Sequence, residues 1–151
     1  MFAYQISKDK DIFCTSDTPL PKLFQIMVKN NCSCVAIVES LAHKNIIGVV
    51  TEHDICLKTI ADGLNPQRIS AGRVMNGNIS TVSENTTTAE CSEIFKRNNV
   101  ERLFVIDDNG AFCGIITEND LQTESQINKL EQIFSDVQVL PSLSQEAHFF
   151  Y

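Results

Sequence analysis

The sequence predicts an α+β fold in which two pseudo-symmetric β-α-β-β-α repeats pack as one body. Three observations lead to this prediction: an internal repeat, the same order of apolar and turn segments in both copies, and a length of 151 residues. That length suits one domain, or two small domains that share a core. Since a two-layer unit of about 60 residues buries little apolar surface by itself, we expect the copies to pack together.

The internal repeat is the clearest pattern in the chain. Residues 18–39 align with residues 86–107 at an offset of 68 positions. Farther along, residues 48–54 (GVVTEHD) align with residues 114–120 (GIITEND) at an offset of 66. The change of offset falls between residues 39 and 48. We interpret this segment as a loop, because loops tolerate changes of length.

Each repeat begins with a short strand and an amphipathic helix. We predict these strands at residues 12–14 and 79–82. In the first copy Thr18 is the predicted N-cap, and the apolar residues between Leu20 and Met27 recur at helical spacing. The equivalent helix, residues 88–98, has a weaker apolar stripe.

Two more strands and a second helix complete each repeat. Apolar runs predict these strands at residues 35–38, 46–50, 103–106 and 112–116. Asn109-Gly110 predicts a tight hairpin, because this pair tolerates the positive φ of a type I′ turn. The final helices are predicted to begin at Thr51 and Thr117.

These elements divide the chain into a first repeat (residues 6–62), a linker (63–73) and a second repeat (74–122). The linker follows from Asp62-Gly63-Leu64-Asn65-Pro66, which breaks a helix. Residues 123–151 form a C-terminal helix and a tail that we leave unassigned. Two interpretations of that helix stay open: a cap on the core, or a signalling helix that leads to another domain.

Composition excludes several classes of function. The net charge of −7 and the isoelectric point near 4.8 argue against nonspecific nucleic-acid binding, which needs many lysines and arginines. A hydrophobic content of 43% favours a packed core over disorder. No apolar run approaches the ~18–20 residues of a membrane span, and residues 1–10 do not resemble a secretory signal. We therefore expect a cytoplasmic protein.

The cysteines are expected to be reduced. They occur among apolar residues, and none stands with a histidine at the usual spacing of zinc ligands, so we interpret them as small buried hydrophobes. Cys32 and Cys34 would share one face of a strand, and a redox or metal sensor built on this pair stays an alternative. The full set is Cys14, Cys32, Cys34, Cys56, Cys91 and Cys113.

The repeated motif G-h-h-T-E-x-D, where h is apolar, is the best candidate for chemistry. One interpretation is a capping box, in which the threonine and an acid three residues later satisfy free backbone N–H groups. The other is a nucleotide site. Helix-start N–H groups and a threonine hydroxyl can hold a phosphate, and an ionised aspartate accepts hydrogen bonds from both ribose hydroxyls. Two copies at matched places favour the second interpretation.

At these residues the sequence resembles the CBS-domain family, whose tandem pairs are called Bateman modules. The resemblance covers residues 6–122. The resemblance implies two CBS repeats packed as one module. It also implies a regulatory sensor of AMP, ADP, ATP or S-adenosylmethionine that needs no cofactor, forms a homodimer and acts on an unidentified target. It rests on Gly48, Thr51, Asp54, Gly114, Thr117, Asp120 and the pair Val74-Met75.

The resemblance also implies two composite clefts, since in the family the Thr and Asp of one repeat face the first strand of the other. One cleft would contain Thr51, Asp54, Met75, Ile79, Ser80, Glu101 and Arg102. The other would contain Thr117, Asp120, Ser7, Ile12, Ser33 and Cys34. We expect Arg102 to contact phosphate, because guanidinium matches phosphate oxygens bidentately. A surface salt bridge is the alternative role for it, and we favour the Asp54 cleft.

Catalysis is not expected. The chain has no G-x-x-x-x-G-K-[ST] loop, G-x-S-x-G elbow or H-E-x-x-H pair. The competing hypothesis is a protein-interaction module whose clefts stay empty, as the sensory part of a larger signalling protein. Titration with adenine nucleotides separates these two functions.

Overall fold

The computed structural model describes residues 1–136, which contain two three-stranded sheets of the same topology. In the first sheet β1 runs parallel to β2, and β2 runs antiparallel to β3. Helix α2 connects β1 to β2, and α3 follows β3 and continues as a π-helical turn, Leu57–Ala61. The bounds are β1 Phe13–Thr15, α2 Leu20–Asn30, β2 Cys34–Val38, β3 Ile46–Thr51 and α3 Glu52–Cys56.

The second repeat has the same order of elements, which confirms the predicted fold class. Strand β4 is parallel to β5, and β5 is antiparallel to β6. Here the final helix is long and continues well past the motif. The bounds are β4 Thr81–Ser83, α5 Thr88–Asn98, β5 Arg102–Ile106, β6 Phe112–Thr117 and α6 Glu118–Asp136.

A short helix before each repeat packs into the core of the other repeat. Helix α1 (Ala3–Ile6) precedes the first repeat, yet Ala3 is buried in the core of the second. Helix α4 (Ala71–Val74) precedes the second repeat, yet both its end residues lie in the core of the first. Part of the segment predicted as a linker is therefore core, and neither repeat is complete without the other.

The two sheets enclose a shared core between the repeats. Along β2, Val35 and Ile37 contact the core of the first repeat, whereas Ala36 and Val38 join a cluster with Phe104 of the second. Successive side chains of a strand point to opposite faces. Because both faces of β2 are buried, its sequence is continuously apolar instead of alternating.

Two local predictions are wrong. Pro19, not Thr18, is the N-cap of α2, and its helix has no side-chain cap. In the β5–β6 hairpin only Gly110 has a positive φ, +80°, and its N–H bonds the Asp107 carbonyl at 3.0 Å. A type I′ turn needs positive φ at both central residues, whereas this geometry matches a type I turn followed by a glycine.

The first turns of α6 cap the second repeat, since Leu121 packs against its core. Farther along, Ile127, Leu130, Ile133 and Phe134 are exposed. The tail that we left unassigned falls at residues 137–151, outside the described residues. Within residues 1–136 none of the helices has the length and apolar character needed to cross a membrane.

We predict that Gly114→Ala destabilises the fold more than the equivalent Gly48→Ala. Gly114 has φ +150°, and a Cβ there would lie 2.7 Å from the Ser7 side chain. At Gly48 the nearest atoms would be 3.0 Å away, with no unfavourable φ. We expect a loss of about 2–3 kcal/mol in the free energy of unfolding at Gly114, measured by urea denaturation.

The double variant Gly114→Ala/Ser7→Gly is the control, because it relieves the clash and keeps the strained backbone. It should recover only part of the loss. An equal or greater loss in Gly48→Ala would contradict the prediction.

Candidate functional site

The structure contains a capping box at each copy of the motif. The Thr51 hydroxyl accepts from the Asp54 N–H at 3.1 Å and donates to Asp54 Oδ2 at 2.8 Å, and the Thr51 N–H donates to the same oxygen at 2.9 Å. Thr117 and Asp120 make the same three bonds at 2.8–3.3 Å. Each box uses only Oδ2, so the box itself leaves Oδ1 of each carboxylate without a bond.

A cleft of about 580 Å³ opens beside the first box. Residues of the first repeat form one side, at the end of β3 and the start of α3. The segment before β4 and the start of β5, from the second repeat, form the other. The lining residues are Ser33, Val49, Thr51, Glu52, His53, Asp54, Asn76, Asn78, Ile79, Ser80, Val100, Glu101, Arg102 and Phe104.

All residues expected in this cleft line it except Met75. The Met75 side chain packs against the core of the first repeat, and its sulfur lies 3.0 Å from where a Cβ on Gly48 would stand. The cleft is therefore lined next to β3 by Asn76, whose backbone pairs with Val49 at 2.8 and 3.0 Å. A sequence pattern does not reveal which of two neighbours faces the cleft.

The residues expected in a second cleft are spread over several places. Ser33 lines the first cleft, and Ile12 is buried in the core of the first repeat. Cys34 pairs with Thr51 across the sheet and is buried between the repeats. Ser7 alone stays near the second motif, because it packs tightly on Gly114.

Asp120 has a partner that the sequence analysis did not identify. Its Oδ1 lies 3.2 Å from the Lys8 ammonium, and its side chain is 18% exposed, compared with 50% for Lys8. Both oxygens of this carboxylate are therefore bonded. Asp54 makes no ion pair among residues 1–136.

The first cleft contains more acidic than basic groups. Arg102 is the only Lys or Arg among its lining residues, beside three acids, Glu52, Asp54 and Glu101. Its guanidinium lies 3.3 Å from the Glu101 carboxylate, which is almost fully exposed. Because Glu101 is exposed to solvent, this pair contributes little, and it does not prevent Arg102 from contacting an anion in the cleft.

Arg102 also lies beside the Cys34 thiol. Burial raises the pKa of Cys34, and the positive charge of Arg102 acts in the opposite direction. Burial likewise raises the pKa of Cys113, to about 11. A thiol with a raised pKa is mostly protonated at neutral pH and is a poor nucleophile.

The apolar wall of the cleft includes residues that the sequence analysis did not select as ligand contacts. Val49, Val100 and Phe104 line it together with Ile79. Phe104 is almost fully buried, and its N–H bonds the Ser80 carbonyl at 2.9 Å. The cleft is therefore lined by apolar as well as polar side chains.

The described part of the chain contains no group of three or more His, Cys, Asp or Glu side chains placed to share a metal ion. All six cysteines are free thiols.

Comparison with known proteins identifies the repeats. The family model of the CBS domain matches residues 3–58 and residues 71–126. An uncharacterized protein of Methanocaldococcus jannaschii is 31% identical over 112 residues, which cover 74% of this chain and 60% of that protein. The chain thus spans less than two thirds of this relative's length.

Two of the solved structures that share the fold contain adenosine compounds. One is the Arabidopsis thaliana protein CBSX2 in complex with AMP, with a TM-score of 0.68, 15% identity, and coverage of 85% of this chain and 98% of that one. The other is a CBS domain pair in complex with 5′-methylthioadenosine and S-adenosyl-L-methionine. It has a TM-score of 0.69, 21% identity, and coverage of 85% and 98%.

We predict that all six thiols react with a thiol reagent in denaturant when the protein is prepared without oxidants. In the native state Cys56 should react fastest, because it is exposed, whereas Cys14, Cys34 and Cys91 are buried. Mass spectrometry after timed labelling measures the order. Fewer than six reactive groups in denaturant, or Cys34 reacting as fast as Cys56, would contradict this prediction.

Proposed function

The chain belongs to the CBS domain family, and on that premise we propose that it is a regulatory module that binds an adenosine-containing ligand and catalyses no reaction. The observation that supports this best is the composite cleft. It brings Asp54 of the first repeat together with Arg102 of the second. A ligand that contacts both repeats at once can change how the repeats pack against each other, and this change can act as the regulatory signal.

Each part of an adenosine ligand has a matching surface in the cleft. The volume of about 580 Å³ lies within the range of small-molecule sites. The apolar wall suits the flat purine, and Asp54 Oδ1 suits the ribose hydroxyls. Arg102 is placed for a phosphate, and Ser80 adds a hydroxyl to the lining.

The charge of the cleft favours AMP, or a ligand with a positive or neutral tail such as S-adenosylmethionine, over ATP. A triphosphate would place several negative charges near Glu52, Asp54 and Glu101, with Arg102 as the one Lys or Arg in the lining. Like charges placed together disfavour binding. The solved relatives contain AMP in one case and 5′-methylthioadenosine with S-adenosyl-L-methionine in the other.

Binding without catalysis is consistent with the state of the carboxylate. Asp54 is held by its capping box, and it makes no hydrogen bond to the neighbouring His53 within residues 1–136. A general base needs a proton within reach and a partner that tunes it. Asp54 instead has the geometry of a fixed acceptor.

We also propose a homodimer in the cytoplasm. The apolar residues Ile55, Ile60 and Leu121, on the helices that begin at Thr51 and Thr117, are the interface that we expect from the sequence. Ile55 is buried and Leu121 is half-buried, so only Ile60 of these is exposed. The exposed apolar residues of α6 are further candidates. Apolar patches of this kind often mark an interface, and an interface of this kind is also what the interaction-module hypothesis requires.

We predict that Asp54→Ala weakens AMP binding by about ten- to a hundredfold, because the ribose loses a charged acceptor worth ~1.5–3 kcal/mol. Asp120→Ala is the matched control, since it removes the same capping acid from the other repeat. Its effect on affinity should be much smaller. Calorimetry on variants shown to be folded by circular dichroism measures both constants.

If Asp120→Ala abolishes binding and Asp54→Ala does not, the ligand occupies the other motif. If the wild type binds neither AMP nor S-adenosylmethionine, the interaction-module hypothesis replaces this one.

We predict a dimer at micromolar concentration, and we expect Leu130→Glu or Ile60→Glu to shift it to monomer. A charge in an apolar interface is costly to bury. Light scattering after gel filtration measures the mass, with Gln126→Glu as an exposed control on α6. A wild-type monomer at tens of micromolar would contradict the proposal.

A further inference from the structure

Lys8 and Asn76 occupy equivalent positions in the two halves of the molecule. Lys8 pairs with Ile115 through two backbone hydrogen bonds of 3.0 and 2.9 Å. Asn76 pairs with Val49 through two of 3.0 and 2.8 Å. The backbone therefore brings the two side chains to the same place relative to their motifs, and only the side chains differ.

The two side chains behave differently. The Asn76 carboxamide oxygen accepts the N–H of Asn78 at 2.9 Å. The bond is local, and both asparagines line the open cleft. The Lys8 ammonium instead reaches across to Asp120 Oδ1 at 3.2 Å. It covers the carboxylate oxygen that corresponds to the one left available on Asp54.

The backbone at Lys8 is held in place. Ser7, its neighbour, packs so closely on Gly114 that a Cβ on the glycine would lie only 2.7 Å from it. The pseudo-symmetric cleft also has no counterpart of Arg102, because the repeat alignment places Cys34 there. A ligand would have to separate the ion pair without gaining a guanidinium contact.

We propose that Lys8 is an internal counter-ion that blocks the Asp120 motif to ribose, so that each chain binds one adenosine ligand and not two. The inference rests on the proposed function, since it takes the Asp54 cleft as the occupied site. Lys8 is thus a specificity-determining residue that acts by competing with the ligand for Asp120 Oδ1.

The test isolates the second motif by placing Lys8→Asn in an Asp54→Ala background. Asparagine is the residue that the first cleft carries at this position. The probe is 5′-methylthioadenosine, which is uncharged and therefore does not respond to the loss of a lysine through phosphate attraction. Because the Lys8 side chain is half-exposed, removal of the ion pair should raise affinity for the second motif by about two- to fivefold.

Lys29→Asn in the same background is the matched control. It removes the same charge from an exposed position on α2, and Lys29 makes no ion pair within the described chain. It should leave affinity unchanged. Calorimetry should also give one ligand per chain for the wild type and two for Lys8→Asn alone.

Three results would overturn the proposal: no gain in affinity on Lys8→Asn, an equal gain on Lys29→Asn, or two equivalent sites in the wild type. AMP titrated into the wild type in parallel tests the proposed function separately. If AMP binds and Lys8→Asn opens no second site, only the role of Lys8 is wrong. If neither ligand binds any variant, both proposals fail.

Discussion

The exchange of short helices between the repeats is the constraint on which the rest of the structure depends. Ala71 and Val74 complete the core of the first repeat, and Ala3 completes the core of the second. The segments that follow these helices pair with the opposite β3 and β6 strands, at Val49 and Ile115. Each motif therefore faces the segment that follows α1 or α4. The Asp54 cleft contains residues of both repeats because each core also does.

A nearly symmetric backbone carries two motifs with different side-chain environments. Both have the same capping box, so the local geometry of Thr51 and Thr117 is the same. The difference comes from side chains that are distant in sequence from the motifs. The first motif faces the neutral Asn76, whereas the second faces the charged Lys8. The repeat supplies two equivalent backbone arrangements, and in our proposal the side chains at positions 8 and 76 decide what each of them binds.

The sequence predicted those features that depend on local pattern. The repeat, the order of elements and the helix starts at both motifs follow from apolar periodicity and from Thr and Asp three residues apart. Features that depend on long-range pairing could not be predicted in this way. Ala71 lies in the segment predicted as a linker, residues 63–73, yet it is buried in the core of the first repeat. The contact of Lys8 with Asp120 joins positions 112 residues apart. The prediction of Thr18 as a cap is wrong for the same reason, since the Thr18 carbonyl accepts the N–H of the distant Ala71 at 2.8 Å and the helix begins after Pro19.

The crystal structure of the wild-type chain with saturating AMP tests the central claim most directly. The account predicts one ligand per chain in the Asp54 cleft, with both ribose hydroxyls within hydrogen-bond distance of the Asp54 carboxylate and the phosphate beside Arg102. It also predicts that Lys8 remains paired with Asp120. A ligand bound at Asp120 with the Asp54 cleft empty would contradict the account, as would an empty cleft at saturating AMP in a crystal form that leaves it open to solvent.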